Sequence, residues 1–183
     1  MRAKTSVFIA TSLDGFIARK NGTIDWLEQA NVSAPDGEDY GYRAFMDTVD
    51  VLVMGRNSYD QVLTFDRWPY GDKRVIVLSR RTVEIPDHLL HSVSASMETP
   101  GELLARLSAL GVAHVYVDGG VTIQRFLAAD LIDEITITQI PVLLGEGLPL
   151  FGPLDRDVVL THIATRTYDN GFVQSTYRIS AQA

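Results

Sequence analysis

The 183-residue sequence predicts an α/β fold with a mixed central sheet, helices on both of its faces and antiparallel strands at the C-terminal end. Three observations predict it. Short β-prone runs alternate with helical stripes as far as Leu131. The runs are continuously apolar, as strands covered on both faces are. Beyond Leu131, strand-like segments follow one another across turns with no helical pattern between them, which calls for an antiparallel edge.

The elements follow in order. Thr5 to Thr11 is β-rich and apolar, and Val51 to Met54 is a continuous apolar run of the buried-strand type. Arg74 to Leu78 and His114 to Val117 are two more strands. Between them, Tyr42, Phe45, Met46 and Val49 recur at i, i+3, i+4 and i+7, one face of a helix. Leu103, Leu104, Leu107 and Leu110 form a second stripe. Its start is marked by Thr99 as N-cap, Pro100 at the first helical position and Glu102 completing a capping box. Ile123, Phe126 and Leu127 make a shorter stripe after Gly119-Gly120. Ile132 to Ile140, Asp157 to Arg166 and Gly171 to Ser180 are the final strands. Asp169-Asn170-Gly171 is a hairpin-type turn, because Asn and Gly accept positive φ cheaply. No repeat or composition break marks a second domain, so residues 1–183 are expected to form one.

Composition narrows the function. Apolar residues at 46% and charged residues at 21% belong to a folded chain with a full core. The longest apolar stretches are strand-sized, too short to cross a bilayer, and the N-terminus leads straight into a β run rather than a secretion signal. A cytoplasmic location is the expectation. With no cysteine there is no thiolate chemistry and no cysteine-ligated metal, and His88, His91, His114 and His162 lack metal-ligand spacing. A net charge of −7 disfavours nucleic acid and anionic membranes as partners. A small molecule is the expected partner, and an anionic one needs local cations.

Cations are gathered locally at strand ends, where open α/β sheets bind ligands. Gly55-Arg56-Asn57-Ser58 follows the first central run: Gly55 admits backbone amides to a phosphate, Arg56 brings charge and Ser58 a hydroxyl on the first helical turn. Ser79-Arg80-Arg81 follows the second, and a hydroxyl beside a guanidinium suits a terminal phosphate monoester. Asp118-Gly119-Gly120-Val121-Thr122 follows the third, and paired glycines before a helix make the amide-lined turn a pyrophosphate needs. Neither the common Rossmann nor the P-loop fingerprint is present. Three anion-ready ends on successive strands describe a dinucleotide carrying an extra phosphate.

The order of these segments resembles the dihydrofolate reductase superfamily and, within it, the reductase domain of bacterial riboflavin biosynthesis. Val7 to Ala18 is similar to the family's first strand and following loop. Met54-Gly55-Arg56-Asn57-Ser58-Tyr59 is similar to its Met-Gly-Arg-x-Thr-Tyr motif, and Leu78-Ser79-Arg80 and Asp118-Gly119-Gly120 to two further cofactor motifs. Pro141 to Phe151 is similar to a signature of the riboflavin-type branch.

The resemblance implies a dihydrofolate-reductase-like fold, NADPH as cofactor, a homodimer, and hydride transfer to a pterin-, flavin- or pyrimidine-like substrate, as in 5-amino-6-(5-phosphoribosylamino)uracil reductase. It implies that Ala10 and Ile17 present backbone groups to the nicotinamide, that Arg56 and Ser58 meet the phosphates, and that Ser79 and Arg80 hold the 2′-phosphate. Gly119, Gly120, Val121 and Thr122 hold the pyrophosphate by the same likeness, with a strained peptide at the paired glycines. By count from the Met-Gly-Arg motif, Asp39 falls where dihydrofolate reductases carry the pterin-binding carboxylate. Asp36 and Glu38 lie nearby, and the alternative reading of Asp39, the one the residues favour, is a helix-N-terminal acid. Trp26 either walls the substrate pocket or packs in the core. Asp14 reads as a turn former, and Gly145-Glu146-Gly147 as a turn.

The substrate loop lacks the proline-tryptophan pair of true dihydrofolate reductases, since Asp25 precedes Trp26. A riboflavin reductase must bind a ribosyl or ribityl phosphate, yet no extra basic cluster follows the cofactor motifs. The competing reading is a catalytically silent NADPH-binding module with a regulatory or resistance role.

Overall fold

The computed structural model describes residues 1–32, 34, 35 and 37–180. In chain order its strands are β1 (Lys4–Ser12), β2 (Phe16–Ala18), β3 (Val51–Gly55), β4 (Arg74–Leu78), β5 (Val93–Ser96), β6 (His114–Asp118), β7 (Glu134–Ile140), β8 (Leu148–Pro149), β9 (Leu160–Thr167) and β10 (Val173–Ile179). The helices are α1 (Asp25–Asn31), α2 (Tyr42–Asp47), α3 (Arg56–Val62), α4 (Pro100–Ala109) and α5 (Gly120–Ala128). None of the described helices is long and apolar enough to cross a membrane.

Eight strands form one sheet in the order β5-β4-β3-β6-β1-β7-β10-β9, and β2 pairs with β8 in a small separate ribbon. Pairing is parallel from β5 through β7, then antiparallel where β10 meets β7 and β9. Residues alternate between two apolar layers. Val51, Val53, Ile76, Val115 and Val117 pack with Leu103, Leu104 and Leu107 of α4 and Ile123, Phe126 and Leu127 of α5. Leu52, Met54, Val75, Val77 and Tyr116 pack on the opposite face with Tyr59 of α3 and Tyr42, Phe45 and Met46 of α2. A strand covered on both faces has no polar side to show, which is why these runs read as unbroken hydrophobic sequence. Each fully buried Leu or Phe contributes about 1.5–3 kcal/mol.

The capping box forms: Glu102 N donates to Thr99 Oγ1 at 3.4 Å and Thr99 N to Glu102 Oε2 at 2.9 Å. Other boundaries differ from the sequence pattern. Leu110 is 64% exposed because α4 ends at Ala109 and Gly111 turns the chain at φ 81. β9 begins at Leu160 rather than Asp157, since Arg156 is held in the preceding loop by an ion pair with Asp130. β7 begins at Glu134 rather than Ile132, and just before it the Asp133 carboxylate accepts the Thr5 amide at 2.7 Å. The short elements β2, β5, β8 and α1 carry no periodicity long enough to announce them.

Candidate cofactor and substrate site

Register sets the site. Gly55 lies opposite Leu78, and Met54 opposite Asp118, so the carboxyl ends of β4, β3 and β6 finish level with one another. The motifs that follow them therefore stand side by side along one edge.

At the centre, two strand-to-helix junctions interlock. A Cβ at Gly119 would overlap Ser58 Oγ, and a Cβ at Gly55 would lie 2.7 Å from Thr122 Oγ1. Each glycine thus faces the hydroxyl of the other junction, and the close approach requires both to lack a side chain. Gly119 also adopts φ 87, ψ 139, a conformation open to glycine and strained for other residues. Neither Gly55 nor Gly119 caps its helix with a side chain. The first amides of α5 are accordingly left for an anion, with the helix dipole in favour. Val121 is 59% exposed, so its amide and not its side chain serves such a site.

Beside this junction the sheet opens. β1 pairs with β6 only over Lys4 to Ser6, whereas its pairing with β7 runs from Ser6 to Ser12. In a parallel ladder alternate residues turn both backbone groups to the same neighbour. Lys4 bonds toward β6, through Ala113, and Phe8 does likewise, accepting Tyr116 Oη at 2.8 Å. By the same alternation the amide and carbonyl of Ala10 face the wedge between β1 and β6, where no strand among the described residues pairs with them. A backbone pair in mid-sheet without a partner is a ligand-ready feature. Ile17 lies against the start of α5, its side chain 2.9 Å from where a Cβ at Gly120 would stand.

The cations sit farther along the edge. Arg56 opens α3 and pairs with Asp60 at 3.3 Å, an exposed i,i+4 contact that a phosphate can outcompete. Ser79 donates to the Arg81 carbonyl at 2.8 Å and accepts its amide at 3.1 Å, a tight turn that leaves Arg80 exposed with no ion pair among the described residues.

The segment from Pro141 to Phe151 crosses the start of α5, a position its sequence does not reveal. Gln124 Nε2 donates to the carbonyls of Pro149 at 3.0 Å and Leu150 at 3.2 Å. Asp14 is more than a turn former. It accepts Ser12 Oγ at 2.6 Å, Gly145 N at 2.7 Å and Leu144 N at 3.2 Å, tying the loop after β1 to this strap. The Ser12 hydroxyl and then the two amides hold its carboxyl below the ordinary range.

The substrate side corrects two expectations. Asp39 is exposed and accepts the amides of Gly41 at 2.9 Å and Arg43 at 3.1 Å, so it caps α2 instead of reaching a pocket. Asp36 lies outside the described residues. Trp26 is 3% exposed and packs against Ile140 and Phe172, so it is a core residue and not a pocket wall.

A carboxylate at the strand ends is Asp118. It ends β6 half-buried, on the face that carries Tyr116, and the hydroxyls of Tyr42 and Tyr70 lie in its field. Burial pushes its carboxyl up from the ordinary value, against the opposing pull of the Gly119 amide and the Tyr116 hydroxyl. Burial first, and Asp118 second, raise Tyr42 and Tyr70. A signal existed in the sequence: an acid closing an otherwise apolar central strand has nowhere polar to go but a site. A cavity of about 560 Å³ opens at the other end of the strands, beside Asp50, Lys73 and Val112. Two of its charges are engaged, Asp50 by the Ala113 and His114 amides and Lys73 by the Met46 and Val49 carbonyls.

Comparison with known proteins identifies the family and the fold. Residues 3–174 match the RibD C-terminal domain family. The uncharacterized protein YwjB of Bacillus subtilis (strain 168) is 35% identical over 171 residues, which span 92% of this chain and 94% of YwjB. A proposed riboflavin biosynthesis protein from Shewanella sp. PV-4 superposes with a TM-score of 0.91 at 44% identity, covering 99% of this chain and 100% of that one. A dihydrofolate reductase from Enterococcus faecalis, solved with NADP(H), shares the fold at a TM-score of 0.65 and 18% identity, with 99% of each chain covered.

Proposed function

The chain belongs to the RibD C-terminal domain family, and on that premise we propose that it is an NADPH-dependent reductase of a small heterocyclic substrate. One observation carries the reading: the wedge between β1 and β6 opens beside the interlocked Gly55–Thr122 and Gly119–Ser58 junctions. Backbone groups for a carboxamide and an amide-lined cradle for a pyrophosphate thereby lie next to each other.

The residues fit such a cofactor in order along the edge. Ser79 and Arg80 would take the 2′-phosphate, Arg56 and Ser58 the adjoining phosphates, and Gly119 to Thr122 the pyrophosphate. Ala10 and Ile17 would hold the nicotinamide end. When bound, the reduced nicotinamide supplies a hydride. The chain's own task is to hold the electrophilic carbon near it and deliver a proton to the adjoining atom. Asp118 suits that second role, because it closes β6 immediately before Gly119 and burial favours its protonated form. After transfer, water returns the proton to the carboxylate.

The homodimer is part of the proposal. Every residue of β9 is exposed, Leu160 and Ile163 included, and a second copy is what would cover it. Sedimentation equilibrium reads the mass directly.

The central test is titration with NADPH and NADH by calorimetry, followed by NADPH oxidation with a panel of pterins, flavins and pyrimidines. Preferential NADPH binding with turnover on one of them is expected. Tight binding without turnover favours the silent module, and no binding of either nucleotide removes the proposal.

A further inference from the structure

We infer that the cavity at the starts of β3, β4 and β6 is a second binding site, for an α-amino acid with an apolar side chain. The site stands independently of the reductase reading. β3, β4 and β6 each run five residues, so the cavity and the cofactor edge lie about 15 Å apart at opposite ends of the same strands.

Three connections build the cavity. Asp50 precedes β3, Asp72 and Lys73 lead into Arg74 at the start of β4, and Leu110 to Val112 join α4 to β6. They line a space of about 560 Å³, within the range of small-molecule sites. Arg74 lies opposite Val51 in the parallel ladder, which puts Asp50 and Arg74 on neighbouring strands one position apart. Asp50 and Asp72 thus share the lining with Lys73 and Arg74.

Each of these charges keeps capacity for a ligand. Among the described residues the exposed Arg74 guanidinium has no hydrogen bond and no ion pair. Lys73 Nζ donates to the Met46 carbonyl at 3.0 Å and the Val49 carbonyl at 2.6 Å, which leaves one of its three hydrogens. Asp50 Oδ2 accepts the Ala113 and His114 amides at 2.8 and 2.9 Å, while Oδ1 accepts no hydrogen bond among the described residues. Asp72 Oδ1 meets His91 Nε2 at 3.0 Å, on a side chain that is 95% exposed. Arg74 and Lys73 can therefore donate to a carboxylate, Arg74 in the forked geometry that a carboxylate matches. Asp50 and Asp72 can accept from an ammonium group.

The balance of charge selects the ligand class. A phosphate or a simple carboxylate would face Asp50 and Asp72 with like charge, and a simple amine would face Lys73 and Arg74. A molecule bearing ammonium and carboxylate on one carbon answers both pairs. Its apolar part has a place as well. Leu110 is 64% exposed at the end of α4, and a Cβ at Gly111 would meet nothing within 4 Å. A side chain laid over Leu110 takes apolar surface out of water.

The test is calorimetric titration of the full chain with L-phenylalanine, with hydrocinnamate, which lacks the ammonium group, and with phenethylamine, which lacks the carboxylate. Phenylalanine is expected to bind at least about tenfold more tightly than either. Arg74→Ala should weaken it by about tenfold, and Arg74→Lys by less, because lysine keeps the charge without the fork. Leu110→Ala should weaken it about threefold through lost apolar contact. Both positions are exposed, so the substitutions should leave the fold intact, which circular dichroism checks. Saturating NADPH should leave the phenylalanine affinity unchanged. No binding of phenylalanine, equal binding of the three probes, or unchanged affinity in Arg74→Ala overturns the inference. Displacement of phenylalanine by NADPH overturns it too, because the ligand would then lie at the cofactor edge.

Discussion

The hydroxyl of Ser58 occupies the space that a side chain at position 119 would need, and Gly119 is held at φ 87, where a side chain would be strained in any case. Gly119→Ala is therefore expected to lower stability by about 1–3 kcal/mol and to weaken NADPH binding, read by urea denaturation and calorimetry. Adding Ser58→Ala relieves the overlap but not the backbone strain. The double variant should recover part of the stability, so the two effects will not add. Simple additivity would show that the junctions are not in contact.

Arg80 stands in the open with no ion pair among the described residues, on a turn made rigid by Ser79. Arg80→Ala is expected to weaken NADPH by about 10- to 100-fold, the range of a charged hydrogen-bonded pair, and NADH by much less. The NADPH loss should shrink as salt rises, because the contact is exposed. Equal losses for the two nucleotides would place the 2′-phosphate elsewhere.

Asp39 shows where counting along the sequence misleads. Helix start and pocket carboxylate share one sequence pattern, an acid just before an apolar stripe, and only the Gly41 and Arg43 amides at 2.9 and 3.1 Å distinguish them. Asp39→Ala is expected to cost about 1 kcal/mol in stability by loss of the cap. Turnover at saturating substrate should be unchanged, and a collapse in kcat with stability intact would restore Asp39 to the site.

What the sequence made legible was what burial and local chemistry impose. Val51 to Met54 and Val75 to Leu78 are apolar throughout because both of their faces are covered, and Thr99-Pro100-Gly101-Glu102 caps itself through contacts three residues apart. The phosphate-ready ends followed from those strands. Asp14 and Gln124 were not legible as site residues, since their partners lie far along the chain: Asp14 bonds to Gly145 and Gln124 to Pro149. The wedge beside Ala10 arises from two strands diverging after Ser6 and Tyr116, a property of no single segment.

His114 ties the opposite end of the sheet to pH. Its Nε2 lies 2.8 Å from Ser6 Oγ and its Nδ1 3.1 Å from the Thr48 carbonyl, with Lys4, Glu134 and Asp50 around it. Burial lowers its pKa below the ordinary 6.5, outweighing the Thr48 carbonyl. The unfolded chain then takes up the proton first, so this contribution to stability is complete above pH 6.5 and is lost as pH falls below it. Urea midpoints between pH about 7.5 and about 5.5 should fall for the wild type and fall less for His114→Gln. Parallel slopes would mean that other groups dominate.

Asp118 carries the opposite sign. Its folded pKa is raised above the ordinary 3.8, so its contribution to stability is complete below that value and is lost as pH rises through the raised pKa. Tyr42 from α2, Tyr70 from the loop before β4, and Tyr116 and the Gly119 amide from its own segment face it, and no cation among the described residues offsets the loss. Asp118→Asn removes a charge that burial penalises, so the variant should be more stable than the wild type at neutral pH. The same change removes the proton donor. Turnover with the best substrate of the panel should fall by about 100-fold or more. Wild-type kcat should decline with rising pH as the carboxyl ionises, and the residual activity of Asp118→Asn should lack that limb. A variant both more stable and less active is what a functional acid predicts, because a structural one would lose stability on substitution. An Asp118→Asn protein that is destabilised yet keeps its turnover would remove Asp118 from the chemistry and return it to the scaffold.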